Sequence, residues 1–105
     1  MGVVVVYRYA VKPGRMPDFI AKLGEAASPK FSSRVMPNNV RIMQSTVPGP
    51  ETAGVVMIIE YDDMAAYGAR LAYEQTNANW RKLFAPTPDS PETLLSVEIL
   101  SDLPA

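Results

Sequence analysis

The sequence contains neither cysteine nor histidine. Without histidine, a Ser-His-Asp triad, a histidine-ligated haem and a histidine zinc site are all excluded. Without cysteine, the chain has no disulfide, no thiolate nucleophile and no cysteine metal site. We therefore expect no metal and no cofactor, and the lack of cysteine favours a reducing, cytoplasmic location.

The net charge is also small, and long apolar runs are lacking. The 105 residues carry a formal net charge of −1, so a basic surface for nucleic acid is not expected. Hydrophobic residues make up 48% of the chain, yet no apolar run approaches the roughly 18 residues that suggest a membrane span. We expect one globular domain over residues 1–105, with neither nucleic acid nor membrane as a partner.

Strand and helix patterns alternate along the chain. Strands are expected at about residues 2–11, 40–47, 53–61 and 92–100, with a hairpin turn at 48–51. Apolar residues at helical spacing predict one helix from Met16 to Ala27 and a second from Met64 to Gln75. After a break with a new cap at Asn77, a short helix is expected around Trp80. The order is strand, helix, strand, strand, helix, strand.

Two strands are apolar on both faces, namely GVVVVYRYAV at 2–11 and GVVMIIEY at 54–61. A strand with one face in water alternates apolar and polar residues, so these two are expected in the centre of a sheet. The other two carry polar residues such as Arg41 and Glu98, as edge strands do. This predicts an α+β, ferredoxin-like βαββαβ fold with a four-stranded antiparallel sheet in the order 4-1-3-2.

Both helices are expected on one face of this sheet, which leaves the other face uncovered. The uncovered face carries apolar residues beside charged ones, namely Val4, Val6, Val56, Ile58 and Leu100 beside Arg8, Glu60 and Glu98. Exposing about six aliphatic side chains could cost on the order of 10 kcal/mol. We therefore expect a homodimer in which the sheet of a second copy packs on this face, with Glu60 paired to Arg41 or Arg8.

Two stretches resemble a known superfamily. VYRYAVKPGRMPDFI is similar to the opening strand, turn and first helix of the dimeric α/β-barrel superfamily. EYDDMAAYGARLAYEQTNANWRKLF is similar to the end of its third strand and its second helix. Within the superfamily the chain most resembles NIPSNAP-like proteins and the antibiotic-biosynthesis monooxygenase group. The resemblance implies a homodimeric α/β barrel with a pocket between the sheet and the helices.

The wall of such a pocket would be rich in aromatic side chains. It would be lined by Tyr7, Tyr9, Met57, Tyr61, Tyr67 and Trp80, which suits a small, flat and largely apolar or aromatic molecule. The same side chains would also serve simply to fill the core, with their polar tips reaching solvent or backbone.

Candidate catalytic residues come from the resemblance alone. Cofactor-independent monooxygenases of the superfamily hold an ionisable aromatic substrate with Asn, Trp, Tyr and Arg side chains. The candidates here are Tyr7, Tyr61, Asn79 and Trp80. Trp80 is explained equally well as the side chain that anchors its short helix by packing. Asp62 and Asp63 are expected as helix caps rather than metal ligands.

Three functions stay open on these grounds. The first is a homodimeric small-molecule-binding protein or small enzyme. The second is a cofactor-independent monooxygenase acting on an aromatic, polyketide-like substrate. The third is a structural or interaction dimer without a ligand.

Overall fold

The computed structural model describes residues 2–45 and 54–103. Within these residues lie four strands, three α-helices and one 3₁₀ turn. In chain order they are β1 (Val3–Val11), α1 (Met16–Ala26), the 3₁₀ turn (Pro29–Phe31), β2 (Asn39–Gln44), β3 (Val55–Tyr61), α2 (Met64–Thr76), α3 (Ala78–Phe84) and β4 (Glu92–Ser101). The predicted hairpin turn at 48–51 lies outside the described residues.

Local sequence signals set the ends of these elements. Gly14 has a φ of 75°, which a residue with a side chain rarely adopts, and it completes the turn between β1 and α1. Asp63 caps α2, since its Oδ1 accepts a hydrogen bond of 2.8 Å from the backbone N–H of Ala66. Asn77 caps α3 in the same way, accepting from the backbone N–H of Trp80 over 3.0 Å. The predicted caps at Asp63 and Asn77 are confirmed, whereas Asp62 does not cap the helix and instead accepts a hydrogen bond of 2.6 Å from Asn38 Nδ2.

The four strands form one antiparallel sheet in the order β2-β3-β1-β4. Read from the other end, this is the predicted order 4-1-3-2, so the α+β ferredoxin-like fold is confirmed. The two doubly apolar strands occupy the centre. Val5 of β1, for example, lies between Ile59 of β3 and Ile99 of β4.

A β-bulge interrupts the pairing of β1 with β4. Arg8 lies opposite Ser96, but Tyr9 lies opposite Leu94, so Leu95 is an extra residue in β4. Simple alternation predicts Leu95 on the helix side together with Val97, and the bulge breaks that alternation. Since directly paired residues share a face of the sheet, Leu94 takes the helix side opposite Tyr9.

The helices cover the centre of the sheet and leave its flanks open. Phe19 and Leu23 of α1 pack with Tyr9 and Val55 of the sheet, and Tyr67 of α2 packs with Val3, Val5 and Tyr61. On the outer strands, the apolar side chains of this same side stay about half exposed: Val40, Ile42, Val97 and Ile99. The helix side of the sheet is therefore only partly roofed.

The opposite side of the sheet is here called the open face, because none of the helices in residues 2–45 and 54–103 packs on it. It presents Val4, Val6, Ala10, Met43, Val56, Ile58 and Leu100 with the charged Arg8, Arg41, Glu60 and Glu98. Arg8 lies 3.5 Å from Glu98, whereas Glu60 accepts a hydrogen bond of 3.1 Å from Asn39. The predicted pairing of Glu60 with Arg41 or Arg8 is wrong, because the register places Asn39 directly opposite Glu60. A second copy on this face stays a prediction.

In the part of the chain that the structure describes, no helix has both the length and the apolar character needed to cross a membrane.

Candidate functional site

Tyrosines from the two central strands meet α2 on the helix side of the sheet. Tyr7 and Tyr9 are two residues apart in β1 and therefore share a face, with their rings stacked at 6.4 Å between centroids. Tyr61 of β3 lies on the same side and makes an edge contact with Tyr67 of α2, at 5.6 Å. We call Tyr7, Tyr9, Tyr61 and Tyr67 the tyrosine cluster. Met57 lies opposite Tyr7 and packs at its edge.

The hydroxyl groups of the strand tyrosines have no partner among the residues that the structure describes. Tyr9 and Tyr61 are only 6% and 4% exposed, yet within residues 2–45 and 54–103 their hydroxyls and that of Tyr7 make no hydrogen bond. Every fully buried side-chain nitrogen or oxygen in those residues does have a partner. The three hydroxyls therefore reach space that water can enter, and a ligand could take the place of that water.

Arg70 of α2 is a buried charge beside this cluster. It is 3% exposed, and its guanidinium Nε donates to Glu74 Oε2 over 2.9 Å. Its Nη1 donates to the backbone carbonyl of Phe31 over 2.8 Å and to Ser33 Oγ over 2.9 Å. Arg70 thereby ties α2 to the segment that follows the 3₁₀ turn.

Trp80 belongs to a different set of ring contacts. Its indole packs edge-on against Phe31 at 5.2 Å and tilted against Phe84 at 4.9 Å, and the Arg70 guanidinium lies 5.2 Å above it. Among the described residues, Trp80 makes no ring contact with the tyrosine cluster. Arg70 connects the two sets. Its guanidinium contacts the Trp80 ring and also pairs with Glu74, whose charge acts on Tyr7 and Tyr61.

The two asparagines of α3 differ in their surroundings. Asn77 caps the helix with its Oδ1, and its Nδ2 donates to the Tyr73 hydroxyl over 3.2 Å. Asn79, the predicted catalytic candidate, is exposed on α3. The structure therefore brings Tyr7 and Tyr61 together and leaves Trp80 and Asn79 on the neighbouring helix.

Glu74 influences the tyrosine cluster electrostatically. Its side chain is 18% exposed, and burial raises the pKa of its carboxyl group against the opposing hydrogen bond and charge of Arg70. Burial, and then the Glu74 charge, raise the pKa of Tyr7 above its ordinary value. The pKa of Tyr61 is raised to about 12 by the same two causes, and that of Tyr9 to about 12 by burial, Glu92 and Glu74. These phenols are neutral hydrogen-bond donors at physiological pH.

The helix side of the sheet carries both hydrogen-bond donors, on the strand tyrosines, and an acceptor, on Glu74 of α2. Glu74 is held through Oε2, and its Oε1 has no hydrogen-bond partner among the described residues. A ligand with a carbonyl oxygen could accept from the phenols, and a ligand hydroxyl could donate to Glu74.

Sequence reasoning missed both Arg70 and Glu74. They follow Tyr67 by three and seven residues, and this spacing places them on the same helical face as that tyrosine. The sequence did contain a signal for these two residues, namely charged residues on the same helical face as a predicted pocket residue.

Two cavities lie largely apart from the predicted pocket. One, of about 580 Å³, is at the end of the sheet and is lined by Gly2, Val4, Asn38, Glu60, Tyr61 and Asp102, among others. The other, of about 400 Å³, lies between α1, α3 and the loop before β4 and includes Lys22, Lys82, Thr87 and Ser90. Of the predicted ligand-binding residues, Tyr61 alone lines either cavity. Within the described ranges, no group of three or more acidic side chains could hold a metal ion.

A family model identifies the chain. The NIPSNAP model matches residues 4–96. The chain belongs to the NIPSNAP family. No curated protein matches it significantly in sequence.

Solved structures share the fold of this NIPSNAP-family chain. An uncharacterized NIPSNAP-like domain protein from Burkholderia xenovorans superimposes with a TM-score of 0.67 at 18% identity, covering 99% of this chain and 85% of the other. A NIPSNAP family protein from Agrobacterium tumefaciens gives 0.65 at 17% identity, covering 99% and 86%. SnoaB from Streptomyces nogalater, a cofactor-independent oxygenase, gives 0.67 at 15% identity, covering 99% and 95%. The predicted resemblance to NIPSNAP-like and monooxygenase-like folds is confirmed.

Proposed function

We propose that this NIPSNAP-family protein is a homodimer that binds a small, flat and largely apolar molecule at the tyrosine cluster, between the sheet and α2. The observation that carries the proposal is the set of three strand hydroxyls that make no hydrogen bond within the described residues, on the side of the sheet where α2 carries the Arg70–Glu74 ion pair. Polar groups in folded proteins are almost always hydrogen-bonded, and bound ligands commonly complete that requirement.

The surroundings of the cluster favour an apolar ligand body. The tyrosine rings and Met57 present apolar surface, and the half-exposed Val97 lies beside Tyr7 on β4. A few polar groups in a mostly apolar wall are typical of sites for small organic molecules. The ligand that fits this wall has an aromatic or alicyclic body and at least one oxygen substituent.

The dimer is proposed on the strength of the open face. The open face carries more apolar side chains than a sheet face in water usually does. Two of its charged residues, Arg8 and Glu98, already form an ion pair with each other between β1 and β4. Sheet-on-sheet packing by two-fold symmetry would bury this face without a further element. A cytoplasmic location, which the lack of cysteine favours, stays part of the proposal.

Cofactor-independent monooxygenation of an aromatic substrate is the second candidate. It is supported by the fold shared with SnoaB, a cofactor-independent oxygenase, and by Tyr7 and Tyr61 at one site. In this function Tyr7, Tyr61, Asn79 and Trp80 would position the substrate. Oxygen uptake with dithranol as the anthrone, compared between the wild type and Tyr61→Phe, tests it. The third candidate, a dimer without a ligand, predicts neither oxygen uptake nor binding.

Binding is tested with 7-hydroxycoumarin, a flat fluorescent molecule with one carbonyl and one hydroxyl group. We expect saturable binding by the wild type and roughly tenfold weaker binding by Tyr7→Phe/Tyr61→Phe, because two hydrogen bonds are lost at about 0.5–1.5 kcal/mol each. Tyr73→Phe is the matched control, since the Tyr73 hydroxyl already bonds to Asn77. Absence of saturable binding, or equal affinity in the double variant, would contradict the proposal.

A further inference from the structure

Glu74 has the position of a proton acceptor. Its Oε2 is held by Arg70 at 2.9 Å, so the carboxylate is fixed in orientation while Oε1 is left for a ligand. Among the described residues, Arg70 is also the only charged residue in the core, where it makes further hydrogen bonds to Phe31 and Ser33. A carboxylate that is fixed on one oxygen and open on the other is suited to taking a proton in a defined direction.

The strand tyrosines have the position of donors to a developing negative charge. Tyr7 and Tyr61 come from neighbouring strands and pack in one cluster, with hydroxyls that nothing in the described protein engages. Neutral phenols on which the Glu74 charge acts could donate to the oxygen of an enolate as it forms. Fixed donors of this kind lose little free energy in reorganisation when charge appears.

We propose that Glu74, Tyr7 and Tyr61 form a proton-abstraction site for ketones, in which Glu74 Oε1 removes a proton from the carbon next to a carbonyl group. This inference rests on the proposed function and names its substrate class. The C–H bond breaks and an O–H bond forms on Glu74. The electron pair moves into the carbonyl, and the resulting enolate oxygen accepts from the Tyr7 and Tyr61 hydroxyls. Return of the proton regenerates the carboxylate, and no oxidant or reductant is needed.

Arg70 acts in this scheme as a positioning residue. It holds Oε2, and its hydrogen bond and charge oppose the rise in the Glu74 pKa that burial causes. A variant that loses this contact would therefore change the pH dependence of the reaction and not only its rate. Arg70→Lys keeps a charge but lacks the guanidinium fork, so we expect the pH midpoint to move upward.

The titratable and charged groups around Glu74 come from four elements. They are Arg70, Tyr67 and Tyr73 on α2, Tyr7 and Tyr9 on β1, Tyr61 on β3, and Glu92 on β4 beside Tyr9. The strand tyrosines, with pKa values raised by burial, do not titrate near neutrality. The rate is therefore expected to rise with pH through the raised pKa of Glu74 and then to level off.

The experiment measures hydrogen–deuterium exchange of the protons next to the carbonyl of 2-tetralone in D₂O, by NMR. The full-length wild type is expected to accelerate exchange above the buffer rate, and Glu74→Gln to lower the enzymatic rate by about 100-fold or more. Tyr7→Phe/Tyr61→Phe is expected to lower it by about 100-fold as well. Glu25→Gln is the matched control, since Glu25 is half exposed on α1 and lies 3.5 Å from Lys30.

Each outcome separates this inference from the proposed function. Binding of 2-tetralone without accelerated exchange would overturn the inference and leave the binding function standing, whereas no binding would overturn both. An unchanged rate in folded Glu74→Gln would also overturn the inference. If Glu74→Gln does not fold by circular dichroism, Tyr7→Phe/Tyr61→Phe decides, because it removes only hydroxyls that have no protein partner.

Discussion

Arg70 and Glu74, one turn apart in α2, form an ion pair with 2.9 Å between Nε and Oε2, and only 4% and 18% of their side-chain surfaces are exposed. Taking two charges out of water costs several kcal/mol per ion, which their attraction and further hydrogen bonds must offset. An apolar pair of similar volume would often be as stable. The proposed proton-abstraction role of Glu74 would account for this costly pair.

Removing Arg70 alone should destabilise the fold strongly. Arg70→Met leaves Glu74 unpaired and the carbonyl of Phe31 without its donor, so we expect a loss of about 3–5 kcal/mol in the free energy of unfolding. Arg70→Met/Glu74→Met should recover most of that loss. Chemical denaturation measures the free energy of unfolding of each variant. Arg81 is exposed, so the control Arg81→Met is expected to stay within about 0.5 kcal/mol of wild type. A loss in Arg70→Met as small as that in Arg81→Met would be inconsistent with a buried, fully bonded arginine.

The strand hydroxyls should matter for binding and not for folding. Tyr61→Phe removes a hydroxyl without a protein partner, so its unfolding free energy should stay within about 0.5 kcal/mol of wild type. Tyr73→Phe removes the acceptor of Asn77 Nδ2 and should lose about 1 kcal/mol. In the 7-hydroxycoumarin titration the order is reversed, with Tyr61→Phe the weaker binder. The same order in both measurements would argue against a ligand role for Tyr61.

Glu74 should give stability a specific pH dependence. Its pKa is raised in the folded state from the ordinary value of 4.5, so the folded protein binds this proton more tightly than the unfolded chain does. The resulting stabilisation is complete below pH 4.5 and is lost as pH rises through the folded-state pKa. Unfolding free energies measured across this window should fall more steeply for the wild type than for Glu74→Gln. Parallel curves would show that Glu74 does not titrate as the structure indicates.

The open face should control association. Ile58 lies in the middle of this face, opposite Val6 and Arg41, and Ile58→Asp should convert a dimer to monomers in sedimentation at micromolar concentration. Ile20→Asp is the matched control, because Ile20 is 59% exposed on α1 and away from the open face. A wild type that sediments as a folded monomer would refute the dimer directly.

The asparagines of α3 should separate capping from catalysis. Asn77→Ala removes the side-chain cap on the backbone N–H of Trp80 and should lower the unfolding free energy by about 1 kcal/mol. Asn79→Ala changes an exposed side chain and should leave stability within about 0.5 kcal/mol of wild type. Oxygen uptake with dithranol, measured for Asn79→Ala and the wild type, then tests whether Asn79 takes part in monooxygenation. Uptake unchanged in Asn79→Ala would remove this residue from the monooxygenase candidates.

The strands and the sheet order could be predicted because they depend on burial that the local pattern records. A run such as Val3 to Val6, which is apolar on both faces, is typical of a strand with a neighbour on each side, so it was expected in the centre of the sheet. The caps at Asp63 and Asn77 are equally local, since each bonds a backbone group three residues away. The candidate site was predictable in part, because alternation alone puts Tyr7 and Tyr9 on one face.

The rest of the structure could not be predicted, because it depends on distances between elements that are far apart in the sequence. The bulge at Leu95 shifts β4 by one residue, so that Glu92 falls opposite Val11 and pairs with Lys22 at 2.8 Å. No period in the sequence of β4 records that shift.

The amino-acid sequence by itself determined the order of elements, the central strands and which side chains of those two strands share a face, because these follow from propensity and periodicity along one segment. Only the tertiary structure decided that Trp80 packs on Phe31, that Arg70 is buried, and that Glu74 acts on Tyr7. Periodicity gives the direction of a side chain, but not how deeply it is buried or what it meets. Those depend on how elements distant in sequence pack, and electrostatic energies vary steeply with the distances that packing sets.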